Sequence, residues 1–187
     1  MSWLPREKLL EMGFAHLGRD VKISDHAIIY EPGKVSIGDF SRIDDFCTIS
    51  GNVVIGRNVH IAVFCNVAGG IPGITFEDFS GLAYGCQVFA QSDDYTGRSM
   101  TNPTVPDRFK KVKMAAVHLG RHVILGTNVI VFPGVNIAEG CSVGAQAIVM
   151  TSTKPWGVYV GAPAKRIAER LRNLLEFERQ YLAETEN

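Results

Sequence analysis

The chain has no surplus of either charge. Lys and Arg together number 19, as do Asp and Glu, so no global basic field exists to recruit nucleic acid or an acidic membrane surface. No apolar run reaches the length a membrane span requires. The opening, Met1 to Arg6, lacks the apolar core of a signal peptide. A cytoplasmic location without membrane insertion is therefore expected. Aromatics are scarce at 9 %. The four cysteines, Cys47, Cys65, Cys86 and Cys141, form no CxxC pair or other zinc spacing. What remains is a chain that is 46 % apolar and 20 % charged, with 19 glycines. That is the composition of a soluble globular domain with many tight corners.

Cut from Val35, the sequence falls into sixes: VSIGDF, SRIDDF, CTISGN, VVIGRN, VHIAVF, CNVAGG. The third place holds Ile37, Ile43, Ile49, Ile55, Ile61 and Val67. After Ile71 to Gly73 the pattern resumes with ITFEDF, SGLAYG and CQVFAQ. From Val117 it resumes again, through VHLGRH, VILGTN, VIVFPG, VNIAEG, CSVGAQ and AIVMTS. The third place is always aliphatic or Phe, the first is small or β-branched, and the fourth is often Gly or Ala. Apolar places at i and i+2 repeating every six do not follow a helical period. Hairpin signals for a sandwich are absent. Each unit is a short strand and a turn, and three close a triangular coil of about eighteen residues that stacks on its neighbour. The expectation is an all-β solenoid. Every cysteine occupies the inward first place, which predicts free, buried, small hydrophobes rather than ligands or disulfides.

Let the three triangle faces be a, b and c, with Val35 opening a, Ser41 opening b and Cys47 opening c. Every interruption follows a c unit: Gly33-Lys34, Ile71 to Gly73, and the long segment 92–116. A scaffold that admits insertions at one corner is expected to build its site there. At the ends, residues 5–16 read as a short amphipathic helix within an N-terminal cap, 1–20. The solenoid is expected over 21–163, and a C-terminal helix over 164–187. The helix would carry an apolar stripe of Ile167, Leu171, Leu174, Leu175, Tyr181 and Leu182. Its basic start (Lys165, Arg166, Arg170, Arg172) and acidic end (Glu184, Glu186) oppose the helix dipole, so either the helix is simply solvated or an anion sits at its start.

The hexads, together with SDDYTG (92–97), TNPTVP (101–106), HVILGTNVIVFPGVNI (122–137) and GVYVGAPAKRI (157–167), resemble the bacterial hexapeptide-repeat transferases over roughly residues 20–170. The likeness is to their sugar O- and N-acetyltransferase branch in surface-polysaccharide biosynthesis. It implies a left-handed parallel β-helix, homotrimers with active sites between subunits, and acetyl-CoA as co-substrate with no metal. By the same resemblance, Gly126, Thr127, Gly144 and Ala145 would meet the pantetheine arm, Gly161 to Ala164 would lie by the adenine, and Lys165 and Arg166 would lie near a phosphate.

Acetyl transfer needs a neutral nucleophile near the thioester, a proton acceptor and oxyanion donors. The galactoside branch of the family uses a histidine at the start of the long loop. Here the position in phase is Asp93, followed by Asp94 and Tyr95, and segment 92–116 contains no histidine. An ordinary carboxylate, with a pKa of about 4, is a poor base for an alcohol and an adequate one for the acidic N–H of an amine's tetrahedral adduct. Asp93, or the Asp93–Asp94 pair, thus favours an amino sugar over a hydroxyl; both residues also suit a simple turn. His60, outward on face b, is the second candidate base. Asn66 matches a family position that contacts sugar, and Tyr95 and Asn102 join it as candidate substrate contacts. His118 and His122 are expected at the surface or between subunits, and His16 and His26 near the cap.

The leading expectation is acetyl transfer to a nucleotide-linked (dTDP- or UDP-type) amino sugar. O-acetylation of a sugar hydroxyl, with His60 as base, is the nearest alternative. A γ-carbonic-anhydrase-like metal site would need His60, His118 and His122 gathered between subunits, and their hexads lack that family's spacing.

Overall fold

The computed structural model describes residues 2–185. Short parallel strands stack into the expected triangular solenoid, a left-handed parallel β-helix. Face b stacks Lys22–Ile23, Arg42–Ile43, His60–Ile61, Gly81–Leu82, Ile124–Leu125, Ser142–Val143 and Gly157–Val160. Faces a and c merge into one ten-stranded sheet, because Thr48–Ile55 and Asn66–Phe76 run unbroken from c into a. The insertion Ile71 to Gly73 is therefore absorbed within a strand, by register shifts opposite Ser50 to Val53, instead of looping out.

The third-place side chains form the core: Ile37, Ile43, Ile49, Ile61, Val67, Leu119, Leu125 and Ile137 are all fully buried. Burying each of these contributes about 2 kcal/mol relative to exposure. The four cysteines are free and buried, as expected. All four also donate hydrogen bonds to backbone carbonyls further along the chain: Cys47 to Ala62 O across 3.0 Å, and Cys65 to Ala83 O, Cys86 to Gly126 O and Cys141 to Lys154 O, each across 3.1 Å. They are thus weak donors on a regular ladder as well as apolar filler.

Two places in each hexad make the corners. A Cβ on fourth-place Gly38 would lie 2.6 Å from the Gly56 backbone, so close stacking of coils demands glycine there. The sixth place instead takes left-handed backbone, and it is held by bulky residues including Phe40, Phe46, Phe64, Phe79 and His122.

The ends differ from expectation. Helix α1 is only Arg6–Glu11, and His16–Leu17 already pairs with Ser36 and Ile37, so the solenoid sheet begins inside the expected cap. Residues Lys165–Glu169 are not helical. They form a strand antiparallel to Gly157–Val160, and helix α2 runs over Leu174–Thr185. Ile167 and Leu171, assigned to its apolar stripe, are exposed. The basic residues 165–172 precede the helix, which removes the anion site at a helix start. Glu186 lies outside the described residues.

Helix α2 straps the a–b corner. Tyr181 accepts the Asn58 side-chain N–H across 2.9 Å and meets Phe79 edge-on. Glu178 takes His122 Nε2 at 3.0 Å and pairs with Arg121. The buried His122 ring stacks on Phe79 at 5.3 Å. Burial, aided by the Arg121 and Arg170 charges against the pull of Asp78, pushes its pKa down to about 4. Arg170 donates to the His122 and Gly140 carbonyls, at 2.7 and 3.0 Å.

Candidate active site

The segment 92–116 leaves the c–a corner as a stalk. Gln91–Ser92 pairs antiparallel with Lys113–Met114. Beyond it, the loop is stitched by Met100 N–H to Phe109 O (2.9 Å) and by Lys111 N–H to Ser99 Oγ (3.1 Å). A cleft of about 510 Å³ is lined by Asp93, Asp94, Tyr95, Arg98, Lys111, Lys113 and Phe132, among others. A second cleft, of about 330 Å³, has Asp93 in its wall with Lys110 and Met114.

The two aspartates differ. Asp94 accepts from the Thr96 N–H (2.9 Å) and hydroxyl (2.6 Å) through Oδ1, and from the Ser99 hydroxyl (3.2 Å) through Oδ2. Those hydrogen bonds, led by the Thr96 hydroxyl, hold its carboxyl below the usual range. Both of its oxygens are engaged within the loop, in the manner of a turn-forming aspartate. Asp93 accepts one backbone N–H, from Asn102, through Oδ2 at 3.1 Å. Its Oδ1 has no hydrogen-bond partner among the described residues. Asn102 itself caps Thr104 through its side chain and presents its N–H to Asp93. Tyr95 is 85 % exposed.

His60 and Asn66 sit elsewhere. Asn66 stacks on face c between Thr48 and Gln87. His60 is outward on face b between Arg42 and Gly81. Its Nε2 lies 2.9 Å from Oδ2 of Asp44, a carboxylate whose side chain is only 4 % exposed and which also takes Arg42 Nε. Burial raises the Asp44 carboxyl, but the hydrogen bonds from Arg42 and His60 outweigh it, so its pKa falls below the usual value. Sequence reasoning passed over Asp44. The available signal is its fourth place in SRIDDF, where most of the other hexads carry Gly or Ala.

The residues assigned to the co-substrate line up along the b–c corner. Gly126 N–H donates to Val143 O (2.7 Å), Gln146 N–H to Thr127 O (2.8 Å), Gly144 N–H to Tyr159 O (2.8 Å) and Ile148 N–H to Gly161 O (3.0 Å). The corner is thus a ridge of small residues in stacked coils. A Cβ on Gly126 would lie 2.7 Å from the Ala145 N, so that glycine serves coil packing whatever else it does. After Gly161 (φ +94°), the chain turns through a cis Ala162–Pro163 bond and Ala164 into Lys165 and Arg166. Lys165 is exposed, whereas Arg166 pairs with Glu169 at 2.6 Å.

The histidines do not assemble. His118 meets Asn136 and Glu77 through its two ring nitrogens, at 3.1 and 3.0 Å, and His122 is buried against helix α2. Among the described residues, no group of three or more His, Cys, Asp or Glu side chains could hold a metal ion.

A hexad solenoid with one elaborated corner, one bare ridge and a carboxylate beside a loop cleft defines an acyltransferase of the hexapeptide type. A family model for the bacterial transferase hexapeptide (six repeats) matches residues 34–69. The chain is 38 % identical over 181 residues to the dTDP-4-amino-4,6-dideoxy-D-glucose acyltransferase of Escherichia coli, spanning 95 % of this chain and 94 % of that protein. It therefore belongs to the hexapeptide-repeat sugar acyltransferases. It is also similar to AntD, an N-acyltransferase from Bacillus cereus, in complex with dTDP and 3-hydroxybutyryl-CoA, with a TM-score of 0.98, 41 % identity, and coverage of 100 % of this chain and 99 % of that one. A serine variant of AntD carries dTDP-4-amino-4,6-dideoxyglucose and coenzyme A, at a TM-score of 0.97 and 42 % identity over 98 % of this chain and 99 % of that one.

Proposed function

We propose that the protein transfers an acyl group from acetyl-CoA, or a related acyl-CoA, to the amino group of a dTDP-linked amino sugar destined for surface polysaccharide. The observation that carries this reading is the near full-length likeness to transferases of that substrate class, which includes the loop holding Asp93. The neutral amine attacks the thioester carbonyl, and the carbon–sulfur bond breaks as coenzyme A leaves. The nitrogen's proton passes to the open Oδ1 of Asp93 and on to the departing thiolate. Asn102, by holding Oδ2, fixes the direction of Oδ1. The bare b–c ridge suits the extended pantetheine arm, with Lys165 near a phosphate.

The loop and the ridge stand on the two corners that bound face c. A homotrimer that sets the loop of one copy against the ridge of the next would complete the site. The outward Val54 and Ile130 offer apolar surface for such contacts. The reaction is assigned to the cytoplasm, where nucleotide sugars and coenzyme A are made.

A second reading, O-acetylation, draws on the His60–Asp44 contact, an orientation suited to a general base. A thiol-release assay with acetyl-CoA over nucleotide-linked amino and hydroxy sugars separates the two. Turnover confined to amino sugars is expected, and turnover confined to hydroxy sugars would overturn the N-acyl reading.

A further inference from the structure

We propose that Arg98, Lys111 and Lys113 form a clamp for the diphosphate of the acceptor, in the same cleft as Asp93. The inference rests on the nucleotide-sugar reading above and adds the residues that would recognise the carrier. All three cations line the cleft of about 510 Å³. None of the three side chains has an ion pair or hydrogen bond among the described residues. The other cations of the loop are committed: Lys110 pairs with Asp107 at 3.0 Å, and Arg108 lies over Phe109.

The three come together by construction. Lys113 stands opposite Ser92 in the stalk, one residue from Asp93. The Lys111 backbone is held by Ser99, next to Arg98, and Ser99 is itself held by Asp94. Asp94 thereby fixes the segment that carries two of the cations. Three cations against two carboxylates leave the cleft with one net positive charge (3 − 2 = +1). A sugar diphosphate diester brings two negative charges, and Arg and Lys are the side chains that bind phosphate through charge-assisted hydrogen bonds. Anchored there, the acceptor's sugar would lie within reach of Asp93, which lines the same cleft.

Coenzyme A also carries a diphosphate, so the test must separate the sources. Titration calorimetry with thymidine diphosphate and, separately, with coenzyme A is run on the wild-type protein, on the triple variant Arg98→Gln, Lys111→Gln, Lys113→Gln, and on Lys113→Gln alone. Thermal melts report whether each variant folds, and the single variant carries the test if the triple does not fold. The triple variant is expected to lose about 30-fold or more in thymidine diphosphate affinity, and the single variant about fivefold, with coenzyme A affinity held within about threefold. A loss confined to coenzyme A, an equal loss for both, unchanged binding of both, or no thymidine diphosphate binding by the wild type would each overturn the clamp. The acceptor panel stands apart from this result. A clamp that binds the nucleotide while no amino sugar is acylated would remove the functional reading alone, whereas amino-sugar turnover unaffected by the triple variant would remove the clamp alone.

Discussion

Oδ2 of Asp93 and the backbone N–H of Asn102 meet across 3.1 Å, and that bond leaves Oδ1 as the open oxygen of the carboxylate. Asparagine at position 93 can keep the Asn102 contact through its carbonyl and cannot take a proton. Asp93→Asn should lower kcat by about 100-fold or more, with the KM for acetyl-CoA within about twofold. Steady-state kinetics on a dTDP-linked amino sugar reads both constants, and an unchanged kcat removes Asp93 as the base.

Asp94 should behave differently from its neighbour. Its two oxygens are taken by Thr96 and Ser99. Asp94→Ala should release the loop while leaving the proton acceptor in place. The expected result is faster proteolytic nicking within 92–116 and an acceptor KM raised about tenfold, with kcat changed less than in Asp93→Asn. Equal kcat losses for the two variants would show that they act as a unit.

His122 makes stability depend on pH. Its folded pKa of about 4 lies below the ordinary histidine value of 6.5. The unfolded chain therefore binds the proton more readily than the folded one. The stability tied to the neutral ring is fully present above about pH 6.5 and is lost as pH falls towards 4. The full effect is about 3 kcal/mol or less, because Glu178, already paired to Arg121, stands ready to accept a charged ring. His122→Phe, which preserves stacking on Phe79, should flatten the acid limb between pH 6.5 and 4 in urea titrations. A limb unchanged by that substitution would assign the acid sensitivity to other groups.

The cysteine ladder gives a fourth expectation. All four thiols are free and buried. A thiol reagent should therefore titrate about zero groups in the native protein and all four after denaturation. Cys86→Ala should cost about 1–2 kcal/mol, combining a small cavity with the lost contact to Gly126 O. Fast native labelling would contradict the burial.

The solenoid was legible because its signal is redundant. Ile37, Ile43, Ile49 and Ile61 repeat one inward place, and each repetition supports the next. The C-terminal segment gave the opposite result. Residues 164–172 have helix-forming composition, yet Lys165–Glu169 is drawn into a strand because Gly157–Val160 offers an open edge. Tertiary pairing overrides local propensity there. Of the candidate site, the in-phase position of Asp93 came from counting sixes, whereas Gly126, Gly144 and Gly161 came from the resemblance to the hexapeptide-repeat transferases. The difference between Asp93 and Asp94 did not, since it depends on which backbone N–H each carboxylate meets. Asp44 escaped because its fourth place in SRIDDF marks a corner without showing that Arg42 and His60 gather around its carboxylate.

The reversed strand Lys165–Glu169 also bears on solubility. A stack of parallel coils ends in an exposed row of unpaired backbone groups, onto which another molecule's first coil could add. On face b, that row is occupied by a strand running the wrong way for further growth, and all five of its residues are exposed, among them Lys165, Arg166 and Glu169. The chain thus carries its own stopper against end-to-end fibre formation at that edge.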